Sequence, residues 1–329
     1  MKSKYFAIAL VVALLVLSGC KPTVEQKPLE NAVLKLKWLH QAQFAGNYVA
    51  KEKGFYAEEG INVSIEEFSF GNPTIGAVAR GDADFGITGA DELLLARAKG
   101  IPIKAIAVIY RINPVCAYSL KKSGIAKPAD FIGKKVGLEM GTNVDLLYYA
   151  MMAKLGIDRS KIREIAIGYD ASELLNGSTD VSTGYIINEP HQAIEAGYEV
   201  NTILMADYGA GIYADVIFAT EDMLESKPML VEGFLRATLK GWQYAIENEE
   251  EAVGIVMGYA KDRARSHEAY MLRQSVPLIH TGDLRIGEME KSGWEQTKRV
   301  MVEQGMLKEN IDLESAYTAD FTRRAYGLD

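Results

Sequence analysis

From Leu34 onward the chain alternates short apolar runs with amphipathic stretches, and this rhythm restricts the fold more than any other feature. LKLKWL (34–39) reads as a strand and 48–53 as part of a helix closed by Gly54. INVSIEEF (61–68) places Ile61, Val63 and Ile65 at period two. NPTIGAVARG (72–81) reads as helix, ADFGIT (83–88) as strand, ADELLLARAKG (90–100) as helix and IPIKAIAVIY (101–110) as strand. Such a succession packs as a parallel sheet covered by helices, so the fold class is α/β. A second series follows: strand FIGKKVGLEM (131–140), helix DLLYYAMMAKLG (145–156), strand IREIAIG (162–168), a helix around 173–175, and strands DVSTGYIIN (180–188) and VNTILM (200–205). Helical patterns then dominate, at 227–248, 250–259, 267–277 and 286–304.

Two series in a body of roughly 300 residues exceed one core and predict two lobes. The first is expected to comprise 34–115 with 218–329 and the second 116–217, with crossings near 114–120 and 213–220. In open α/β sheets, ligands collect beyond the carboxyl ends of strands, which places a site in the cleft between lobes.

Ahead of this body, Lys2 and Lys4 precede an apolar run (6–17) that falls short of the about 20 residues a transmembrane helix needs. It closes on LSGC (17–20), so residues 1–20 read as a signal peptide. The small residues before Cys20 resemble the lipobox of bacterial lipoproteins, which implies lipidation at Cys20 and an extracytoplasmic protein anchored to a bacterial membrane. Residues 21–33 mix Lys, Glu, Gln and two prolines and read as a flexible tether.

After Cys20 only Cys116 remains, which excludes an internal disulfide and a Cys-based metal site. The net charge of −8 without a basic cluster argues against nucleic acid. His40, His191, His267 and His280 show no metal-ligand spacing, and no H-E-x-x-H, G-x-S-x-G, Walker or dinucleotide-binding glycine pattern occurs. Neither a metal nor a cofactor is expected.

The polar segments worth weighing all sit at strand ends. In WLHQAQFAGNYVA (38–50), Trp38 can offer a ring face while Gln41, Gln43 and Asn47 offer hydrogen bonds; Phe44 and Tyr48 read as helix–sheet packing. Thr88 and Gly89 lead into a helix whose free N–H groups can grip an anion or carbonyl, with Asp91 read as the cap. Gly141, Thr142 and Asn143 repeat the device in the second lobe. Tyr185, Asn188 and Glu189 end a strand before Pro190; Glu189 either projects into the cleft or is solvated in a loop.

Together with the lipobox, WLHQAQFAGNYVAKEKGFYAEEGINV, GDADFGITGADELLLARAKGIPI, IYRINPVCAYSLKKSGI and GYIINEP resemble the solute-binding lipoproteins of ABC importers in the thiamine-pyrimidine branch. That branch includes relatives of the eukaryotic pyrimidine synthase and, further off, nitrate, sulfonate and taurine binders. The likeness implies a two-lobed, type II periplasmic-binding-protein fold, a monomer that captures a small heteroaromatic and delivers it to a membrane permease. It implies hydroxymethyl- or formylaminomethyl-pyrimidine as ligand, held by Trp38, Tyr185 and Glu189, with Asn113-Pro114 matching near a crossing. Asn47 and His191 depart from the family's pattern. Riboflavin or a sulfonate or nitrate is the alternative ligand. Synthases of the family carry a Cys-rich segment and a reacting Lys–His arrangement fed by pyridoxal phosphate; with only Cys116 besides the anchor Cys20 in the mature chain, no enzyme is expected.

Overall fold

A computed structural model describes residues 28–328; the signal peptide, Cys20 and most of the expected tether lie outside the described residues. Among the described residues, ten strands form two five-stranded sheets. The first contains β1 (Glu30–Lys35), β2 (Ile61–Glu66), β3 (Phe85–Thr88), β4 (Ile103–Tyr110) and β10 (Ala214–Thr220), in the order β2-β1-β3-β10-β4. The second contains β5 (Val115–Leu120), β6 (Lys135–Leu138), β7 (Arg163–Ala166), β8 (Val181–Tyr185) and β9 (Val200–Leu204), in the order β7-β6-β8-β5-β9. In each sheet a strand reached by a lobe crossing, β10 or β5, runs antiparallel between neighbours. Strands β3, β4, β5 and β10 are buried on both faces, which is why they read as continuous apolar runs instead of alternating ones.

Three boundaries differ from the sequence reading. The tether ends earlier, because Glu30 to Val33 already pair in parallel with Ile61 to Ser64. The exposed Glu30 and Asn31 lend the start of β1 a linker's composition, although Ala32 is buried. The crossings lie at 111–114 and 205–213, just before the stretches assigned to them, since β5 and β10 each belong wholly to one sheet. Residue 217 therefore falls inside a strand of the first sheet. The expected helix at 286–304 begins only at Lys291, because Gly287 first pairs with Val108 of β4.

The C-terminal helices pack on the first sheet. Helix Ala45–Glu52 lies against helix Pro228–Glu247 at very short range. A Cβ on Gly46 would sit 2.2 Å from the Trp242 ring, and one on Gly241 would sit 2.2 Å from the Gly46 carbonyl oxygen. Glycine at both positions is what lets the backbones meet. At the first crossing, the Arg111 and Ile112 amides both donate to the Leu278 carbonyl (3.1 and 3.2 Å). The Arg111 guanidinium donates to the carbonyls of Arg285 (2.6 Å) and Leu284 (3.1 Å), tying the hinge to the end of helix Arg265–Ile279.

Candidate functional site

The carboxyl ends of β1, β3, β6 and β8 converge on a cleft between the two lobes, with a cavity of about 310 Å³. One wall is aromatic. Trp38, in the loop beyond β1, lies nearly parallel to Phe68 (centroids 6.3 Å, planes 21° apart). Tyr169, from the second lobe, meets the Trp38 ring edge-on at 5.2 Å, so the lobes touch across the cleft mouth. Phe70 stands exposed beside Phe68 at the same rim.

The floor is charged. The Lys37 ammonium pairs with Asp215 at 3.2 Å and lies 5.8 Å from the centre of the Tyr185 ring. Burial acts to lower the Lys37 pKa, but Tyr185, Asp215, Glu92 and Asp91 around it hold it above the ordinary lysine value, so it stays cationic. Asp215 opens β10 with φ of 43°, a left-handed backbone rare outside glycine, and its carboxylate accepts from both Lys37 and Gln43 Nε2 (2.9 and 3.0 Å). Burial raises its pKa while Lys37 and Gln43 oppose that rise. Gln41 Nε2 donates to Gln43 Oε1 at 2.6 Å.

The remaining polar lining is acidic. Asp91 is 4% exposed, its Oδ1 has no hydrogen-bond partner, and burial with the nearby Glu92 pushes its pKa up to about 6. Glu139 and Glu189 face the cleft from the second lobe. Burial raises both, and their mutual repulsion raises Glu139 further. Glu189 Oε2 accepts from the Tyr185 amide at 2.7 Å and Oε1 from Asn188 Nδ2. A Cβ on Gly184 would lie 2.6 Å from that carboxylate, so the glycine clears its seat. Asn143 Nδ2 donates to the Tyr185 hydroxyl at 3.0 Å.

Of the residues singled out in the sequence, the structure brings Trp38, Gln43, Gly89, Gly141, Thr142, Asn143, Tyr185, Asn188 and Glu189 to the cleft lining. Three fall elsewhere. Asn47 is fully buried on the inward face of its helix, 3.4 Å from the Tyr56 hydroxyl, where the close helix pair leaves no path to the cleft. The Thr88 hydroxyl is buried and donates to Glu92. Asn113 Oδ1 accepts from the Val115 amide at 3.1 Å and shapes the crossing. Asp91, read as a cap, is instead inside the first turn of helix Ala90–Ala98, where Gly89 holds the cap position. Phe44 and Tyr48 are core, and Cys116 is buried in β5, as expected.

A family model described as NMT1/THI5 like matches residues 41–252, well over half of the chain. The chain belongs to the NMT1/THI5-like family. Relatives include riboflavin-binding protein RibY of Chloroflexus aurantiacus, 26% identical over 350 residues, 98% of each chain. The formylaminopyrimidine-binding protein of Halalkalibacterium halodurans is 27% identical over 257 residues, 76% of this chain and 77% of that one. The 4-amino-5-hydroxymethyl-2-methylpyrimidine phosphate synthase of Legionella pneumophila is 27% identical over 88% of this chain and 92% of its own. Among solved structures, the periplasmic aliphatic sulphonate binding protein SsuA of Escherichia coli superposes with a TM-score of 0.71 at 15% identity, covering 87% and 91% of the two chains. The fold is the two-lobed periplasmic-binding-protein fold of type II.

Within this family fold, sequence reasoning missed Lys37, Phe68, Asp91, Glu139 and Tyr169. Lys37 and Phe68 lie near the ends of the strand segments 34–39 and 61–68, so strand-end position alone would have found them. Glu139 and Tyr169 follow β6 and β7 by the same rule, but a single Glu or Tyr after a strand carries no distinguishing pattern.

Proposed function

We propose that this protein is the extracytoplasmic solute-binding component of an ABC importer and that its ligand is an aminopyrimidine of the thiamine-precursor type. The buried, unpartnered Oδ1 of Asp91, a residue of the same cleft lining as Trp38, carries this reading. A buried carboxylate oxygen without a donor is costly and is relieved by a ligand that brings an N–H. An aminopyrimidine brings an exocyclic amino group at the edge of a flat ring, which suits Trp38 for stacking and the carboxylates for its edge. Glu139 and Glu189 on the opposite side offer further acceptors.

The same chemistry opposes an anion. The lining holds four carboxyl groups (Asp91, Glu92, Glu139 and Glu189) and one cation, Lys37, which is already paired with Asp215. A sulfonate or nitrate would meet repulsion there. A cavity of about 310 Å³ is at the small end of the roughly 300–1,000 Å³ range for ligand sites and suits a single ring. Riboflavin remains the second reading because RibY aligns along nearly the whole chain. Capture without chemistry is supported by the relatives RibY and the formylaminopyrimidine-binding protein, both named as binding proteins. Among the described residues no helix is long and apolar enough to cross a membrane; lipidation of Cys20 would supply the anchor, and a permease would be the partner.

Calorimetric titration of the purified protein with hydroxymethyl-pyrimidine, formylaminomethyl-pyrimidine, riboflavin and taurine tests the reading. Submicromolar binding of a pyrimidine, with riboflavin at least tenfold weaker, is the expected result. Tighter binding of riboflavin or of the sulfonate overturns it, as does turnover of the pyrimidine.

A further inference from the structure

The four histidines show no metal-ligand spacing along the chain, yet the fold brings two of them together at the seam between lobes. His191 and Glu195 are on helix Glu189–Glu195 of the second lobe, and His267 is on helix Arg265–Ile279 of the first. His191 Nδ1 lies 3.1 Å from His267 Nδ1. Glu195 places Oε1 at 3.7 Å from His191 Nδ1 and Oε2 at 3.5 Å from His267 Nδ1. Zinc bound at about 2.0–2.1 Å sets tetrahedral neighbours roughly 3.4 Å apart. The two nitrogens and one oxygen of the Glu195 carboxylate lie within 4.8 Å of one another, close enough for small side-chain adjustments to bring all three onto one ion.

The hydrogen bonds around His267 fix which nitrogen is free to ligate. Asn188 Nδ2 donates to Glu189, so its Oδ1 is the acceptor, and it receives Arg263 at 3.0 Å. His267 Nε2, 2.8 Å from the same oxygen, must donate. The lone pair of neutral His267 is then on Nδ1, the nitrogen turned toward His191 and Glu195. His191 is held flat against Tyr270 (4.0 Å between centroids, 12°), which fixes its ring as well. The side chains are 12%, 7% and 37% exposed for His191, His267 and Glu195, so solvent reaches the cluster from the Glu195 side. Arg263, which joins this network through Asn188, is paired with Glu268 at 2.5 Å.

We propose that His191, Glu195 and His267 form a binding site for one zinc ion or a similar divalent transition metal, and that this ion latches the two lobes. The latch joins the ligand cleft through Asn188, which holds both His267 and Glu189. Bound metal favours the closed arrangement and slows ligand release.

The test is calorimetric titration of tag-free protein with Zn²⁺, with Co²⁺ absorption in the visible reporting coordination geometry. One equivalent of Zn²⁺ and an intense tetrahedral Co²⁺ band are expected. His191→Ala and Glu195→Gln, both partly exposed and with folding checked by circular dichroism, should weaken uptake at least 30-fold, while a His40→Ala/His280→Ala variant binds as the parent does. Absence of stoichiometric uptake by the parent, or uptake unchanged in His191→Ala and Glu195→Gln, overturns the site. Neither result depends on the identity of the organic ligand.

Discussion

Replacing Asp91 with Asn should move stability and affinity in opposite directions. The folded protein raises the Asp91 pKa from 3.8 to about 6, a shift that corresponds to about 3 kcal/mol at 1.36 kcal/mol per unit. The sign follows from proton binding: between pH 3.8 and 6 the folded state binds the proton more tightly than the unfolded chain. Stability from this group is therefore lost as pH rises through that window, and the full cost is present above it. Asn carries no charge and removes the cost. The attraction of Lys37 is already contained in that shift; the buried Asn amide, left without partners for its N–H groups, carries its own desolvation cost, which offsets part of the gain and leaves about 1–2 kcal/mol. For a chain of this size that is a rise in Tm of about 2–8 °C at pH 7.5, shrinking toward zero at pH 4. Binding should suffer, because a charge-assisted bond to the ligand's amino group is worth about 1.5–3 kcal/mol, or roughly 10–150-fold in Kd. Differential scanning fluorimetry across pH and calorimetry with the aminopyrimidine measure both. A lowered Tm at pH 7.5, or an affinity within threefold of the parent, would refute the reasoning.

Trp38 should report ligand binding by itself, since Trp242 and Trp294 are 1% and 0% exposed and remote from the cleft lining. Trp38→Phe should abolish the ligand-dependent change in tryptophan emission and weaken binding several-fold; a persisting emission change would show that the ring does not meet the ligand. Asp215→Ala removes one half of a nearly buried ion pair and places Ala at φ of 43°. A loss of about 3–5 kcal/mol is expected, read as a urea midpoint lower by about 1 M, and a shift below a third of that would mean Lys37 finds another counter-charge.

Much of the fold is legible in the sequence because it rests on local periodicity. Ile61, Val63 and Ile65 alternate because one strand has two faces, and the continuous run at 103–110 reflects a strand covered on both. Where local composition misleads, the boundary moves: Glu30 and Asn31 look like linker, yet their backbone pairs with β2. The cleft was legible only in part. Trp38, Tyr185 and Glu189 stand at strand ends, where the chain direction alone puts them near one another. Asn47 has equally suitable chemistry, but its helix turns it into the interface with helix Pro228–Glu247.

The sequence by itself determined the α/β class, the two lobes and the rule that polar strand ends face the cleft, since each follows from the order and period of nearby residues. Only the tertiary structure decided which charges meet. Lys37 finds Asp215 178 positions away, and His191 finds His267 76 positions away. Those partners come from different elements, and in the second case from different lobes. Their distance is set by how the sheets and lobes pack, and no periodicity along a single stretch of chain encodes it.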